Sequence, residues 1–238
     1  MLMDRIRRGK NKHRGLLITV VVLIAAATVA SFAVGGSSNI GKSTNNEDTT
    51  QVQIDALNTS IAESKKVADT DMTFSESKNL ADMLIKVAGL QLDQNSSSTE
   101  AAQNALDAAK YYNLTIKKAP AELNDKGMAD LIRQKATALY TAGDAAGAET
   151  GLKEALALVP LDYETNQTYI IYLLYSKGID QAIAYAENYR AKLPSDDANI
   201  ATVDSLISNL KSTKADQEKS STNTSGTNSG QDSGTSAK

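Results

Sequence analysis

Residues 129–144 read Ala-Asp-Leu-Ile-Arg-Gln-Lys-Ala-Thr-Ala-Leu-Tyr-Thr-Ala-Gly-Asp, and residues 145–158 read Ala-Ala-Gly-Ala-Glu-Thr-Gly-Leu-Lys-Glu-Ala-Leu-Ala-Leu. The first run predicts a helix broken at Gly143 and Asp144. The second predicts a helix stopped by Val159 and Pro160. Small residues (Ala136 on the first helix, Ala148 and Ala155 on the second) stand where two helices must approach closely. Ile132, Leu139, Leu152, Leu156 and Leu158 fill the space between them.

The unit recurs. Ala148 and Ala182 are 34 residues apart, Pro160 and Pro194 are 34 apart, and each alanine stands twelve residues before its proline. A fixed period of this length marks stacked helical hairpins.

The pattern resembles the tetratricopeptide repeat, a 34-residue helix-turn-helix unit. Counting Ala129 as the first position, Ala136 stands for the motif glycine, Leu139 for its tyrosine and Gly143-Asp144 for the turn. Ala148, Leu152 (for the phenylalanine), Ala155 and Pro160 complete the copy, and Ile132 stands where the family has tryptophan. The second copy, residues 163–196, keeps Leu173, Ala182, Ala186 and Pro194. It departs at Ile170 for the glycine, at Tyr189 for the second alanine, and at Gly178, a turn glycine one position late. A degenerate copy over about 82–115 rests on Gly89, Leu92, Ala101, Ala105 and Ala108, without a proline or turn glycine. The fold class expected from the resemblance is all-α: a short α-α superhelix of such hairpins in a helical domain over 51–212, preceded by one transmembrane helix. An ordinary helical bundle is the alternative.

Around the repeats, Ile54, Leu57 and Ile61 make a narrow apolar stripe at helical spacing, suited to packing on the repeats or to a coiled coil. Thr73 with Glu76, and Ser97 with Glu100, fit capping boxes. Pro120 is placed to begin the helix that runs into Ile132 and Tyr140. Ile200, Val203, Ile207 and Leu210 predict an amphipathic cap over 197–212. Residues 213–238 are nearly devoid of apolar side chains and are expected to be disordered.

The N-terminus carries a different signal. Residues 1–14 hold six basic side chains against Asp4, about +5, which leaves −8 for the rest of a chain whose total is −3. An uncharged run follows within residues 15–34. At about 1.5 Å per residue, the 19 residues from Leu16 to Val34 just span a hydrocarbon core of roughly 30 Å. The basic flank predicts a cytoplasmic N-terminus and an extracytoplasmic body, joined by a flexible linker over 35–50. The alternative is a signal peptide cleaved near Val34, which places the repeats on the same side of the membrane.

Composition narrows the chemistry. The chain has no cysteine, and its one histidine is His13, so thiol, zinc-thiolate and Ser-His-Asp chemistries are absent from the body. Asp69-Thr70-Asp71 begins like a calcium loop, but Phe74 and Leu80 occupy the positions that need Gly and Glu. No metal site, cofactor or catalytic residue is expected, and the acidic body argues against a nucleic-acid partner. An enzyme built on carboxylates and lysines is the remaining catalytic alternative.

The resemblance implies a binding surface on the first helix of each repeat. Carrying over those positions gives Asp130, Arg133, Thr137 and Tyr140 in one copy, and Glu164, Gln167, Ile171 and Leu174 in the next. Only Arg133 matches the set with which some members clamp a C-terminal carboxylate, because Thr137 and Ile171 stand where asparagine would help. That ligand class is disfavoured. Tyr140, Tyr169, Tyr172 and Tyr175 either form an aromatic recognition surface or pack between helices. The function expected is a membrane-anchored, non-catalytic scaffold that binds a protein or peptide, as an accessory factor of an envelope complex. The alternative is a secreted or surface-displayed structural module.

Overall fold

The computed structural model describes residues 46–225, which form eight helices and, among the described residues, no strand. They are α1 (Asn46–Ser64), α2 (Phe74–Gln94), α3 (Thr99–Lys117), α4 (Asp125–Thr141), α5 (Ala145–Leu158), α6 (Tyr163–Ser176), α7 (Ile179–Lys192) and α8 (Ile200–Ser225). The fold class is therefore all-α. The basic segment 1–14, the apolar run 15–34, the first part of the expected linker and residues 226–238 lie outside the described residues. Among those described, no helix is long and apolar enough to cross a membrane. The chain divides into two compact units between Thr168 and Tyr169, within α6.

In the first unit α2 and α3 form an antiparallel hairpin. The Tyr112 hydroxyl donates to Asp82 at 2.7 Å, Thr115 donates to Ser77 at 3.0 Å, and Asn104 donates to Gln91 at 2.9 Å. Thr73 and Glu76 start α2 with the reciprocal capping box that the sequence predicts. Ser98 caps α3 by accepting from the Ala101 amide. Such a cap stabilises a helix by about 1 kcal/mol. Leu80, Leu84, Val87, Ala108 and Tyr112 are buried in one cluster with Ile54 and Ile61 of α1, against which Leu57 also packs. The stripe on α1 is thus spent on the chain's own core. Ala138 of α4 joins the same cluster.

The α4/α5 hairpin closes on small residues. Ala136, Ala148 and Ala155 are fully buried. At Gly151, which the motif does not require, the two helices leave no room for a side chain: a Cβ there would lie 3.0 Å from the Ala136 Cβ.

The 34-residue period has a backbone counterpart. The Asp144 amide donates to the Leu139 carbonyl and the Gly178 amide to the Leu173 carbonyl, both at 2.9 Å. The two pairs are one period apart, and α5 and α7, each of 14 residues, begin one period apart. Gly178 therefore occupies the register of Asp144, not of Gly143. In the first turn Gly143, at φ 93, ends α4, and Asp144 caps α5 through the Gly147 amide. In the second turn Gly178, at φ 102, is itself the N-cap of α7, without a side-chain bond. The lateness of that glycine is a change of role within a preserved register.

In the second unit Arg190 meets Asp204, Lys211 meets Glu187, and Lys214 meets Asp180, at 2.6–2.7 Å. Falling numbers on α7 against rising numbers on α8 make the pair antiparallel. Val203, Ile207 and Leu210 are buried, as the amphipathic pattern requires. Tyr169 stacks with Tyr172 and meets Tyr185 edge-on at 4.8 Å.

Three boundaries differ from the sequence expectation. The helix before the stripe begins at Asn46, inside the expected linker, because propagating an existing helix costs far less than nucleating one. For the same reason α8 continues past the expected cap end at 212 to Ser225, supported by the Lys214 contacts with Asp180 and Glu218. Pro120 does not begin α4. It lies in a turn closed by the Leu123 amide, and Asn124 starts the helix by accepting from the Gly127 amide. A side-chain cap satisfies an orphan amide, which a proline does not.

Candidate functional site

Lys126, Asp130 and Arg133 follow one another on one face of α4 at i, i+4 and i+7. The start of α6 faces them. Asp162 precedes α6 and accepts from the Thr165 amide at 3.0 Å and from the Thr165 hydroxyl, so its carboxylate caps that helix. Asn166, almost fully buried, closes the turn by donating to the carbonyls of Pro160 and Asp162.

The charges interlock. Lys126 Nζ lies 2.7 Å from Asp162 Oδ1 and 2.9 Å from Asp130 Oδ1. Arg133 Nη2 lies 2.8 Å from Glu164 Oε2 and 3.5 Å from Asp130 Oδ1. The Arg133 side chain is only 5% exposed, whereas that of Glu164 is 50% exposed. Burial pushes the Asp162 carboxyl up, but hydrogen bonds from Lys126 and Thr165 outweigh it and hold the group below the usual carboxylate range. Burial likewise pushes the Lys126 ammonium down, and its bonds to Asp162 and Asp130 hold it above the ordinary lysine value. The Nε of Arg133 and the Oε1 of Gln134 are buried without a hydrogen-bond partner.

Of the eight positions expected to line a binding face, three meet directly: Asp130, Arg133 and Glu164. Arg133 is not an open cation. Its guanidinium is turned inward and neutralised within the fold, so an incoming carboxylate must compete with Glu164 for it. Thr137 donates back to the Arg133 carbonyl at 3.0 Å on its own helix. Tyr140 and Gln167 are half-buried. Ile171 and Leu174, also half-buried, belong to the second unit. Of the tyrosines, Tyr169 and Tyr172 are buried in the second unit, which is the packing alternative.

Sequence reasoning missed Lys126 and Asp162. Both carried a local signal: Lys126 stands four residues before Asp130, and Asp162 stands three before Thr165 at a helix start. The cluster sets two cations against three carboxylates, of which Glu164 and Asp130 are partly exposed and Asp162 is buried. Among the described residues no group of three or more His, Cys, Asp or Glu side chains is arranged to hold a metal ion. Comparison of the chain with protein-family models, with curated proteins and with solved structures finds no match.

Proposed function

We propose that this chain is a single-pass, membrane-anchored scaffold whose extracytoplasmic helical domain resembles a short tetratricopeptide array and binds a protein partner without catalysis. The observation that carries the reading is the paired hydrogen bond one period apart, Asp144 to Leu139 and Gly178 to Leu173, with α5 and α7 starting in the same register. Two hairpins built to one 34-residue template are what such arrays stack, and arrays of this kind present side chains of the first helix to a partner.

The apolar run over 15–34, flanked by six basic side chains in residues 1–14, supports the anchor and the cytoplasmic N-terminus. The non-catalytic part of the reading rests on composition: beyond His13 the chain has neither histidine nor cysteine. The binding face in the first unit comprises Asp130, Tyr140, Glu164 and Gln167. Because Arg133 is internally paired, the partner segment is neutral or basic at its point of contact.

The experiment combines protease accessibility in intact cells with N-terminal sequencing of the mature chain. The proposal expects a protected, intact basic N-terminus and an accessible body. A mature chain starting near Val34 removes the anchor and favours the secreted module.

A further inference from the structure

We draw no further inference here: the strongest candidate, the surface patch of exposed Leu158 and Leu161 flanking Pro160 in the turn between α5 and α6, carries nothing because no feature of the structure shows what covers it.

Discussion

Arg133 on α4 and Glu164 on α6, 31 residues apart in sequence, meet at 2.8 Å with the guanidinium buried and the carboxylate half in solvent. The asymmetry decides what each side chain does. Removing the glutamate strands a buried cation with only Asp130, at 3.5 Å, beside it. Replacing the arginine leaves carboxylates that water still reaches. Glu164→Ala is therefore expected to destabilise the chain by about 2 kcal/mol, and Arg133→Met with Glu164→Ala to recover most of that loss. Urea unfolding of the two variants and of Arg133→Met alone completes the cycle. Additive costs would mean that the pair is not coupled.

Asp162 carries a pH dependence whose sign follows from its two bonds. Its folded value lies below the usual carboxylate range, so the unfolded chain binds the proton more readily. The contribution is complete above the ordinary aspartate value of about 4 and is lost as pH falls through the depressed one. Lys126 has the opposite sign: its contribution is complete below about 10.4 and is lost as pH rises through its raised folded value. Urea midpoints followed from neutral to strongly acid pH are expected to fall less steeply for Asp162→Asn than for the native chain.

Gly143 and Gly178 stand at φ 93 and φ 102, and a Cβ at either position meets nothing within 4 Å. Substitution therefore costs backbone strain alone. Gly143→Ala and Gly178→Ala should each lose about 1–2 kcal/mol by thermal or urea unfolding, without a change in helix content.

Gly151 fails for the opposite reason, lack of room. Its neighbour Ala136 is fully buried and already 3.0 Å from where a Cβ would sit. Gly151→Leu should cost about 2–3 kcal/mol through overpacking of the α4/α5 hairpin. The same measurement on the exposed Ala146→Leu, with an expected change under about 0.5 kcal/mol, separates crowding from propensity.

How much of this was legible in the sequence depended on the range of the interaction. Helical periodicity and the small residues Ala136, Ala148 and Ala155 gave the α4/α5 hairpin, because short-range spacing fixes which face is buried. Thr73 and Glu76 gave the start of α2 for the same local reason. Arg133 read as an open recognition residue, because nothing local says that Glu164 will reach across a hairpin to neutralise it. The end of α8 at Ser225 was hidden by composition: its polar last turns offered no apolar stripe, and the pairing of Lys214 with Asp180 of α7, just past the expected cap, leaves no local signal. Gly178 looked misplaced only until its register with Asp144 appeared in the backbone bonds.

The most direct test of the binding claim is photocrosslinking in living cells, with a photoreactive side chain placed singly at Tyr140 and Gln167 and, as controls, at Lys153 and Glu154 on the exposed face of α5. The account predicts that Tyr140 and Gln167 capture the same discrete protein and that the control positions do not. Capture from Lys153 and Glu154 alone would contradict it, as would no discrete product from any position.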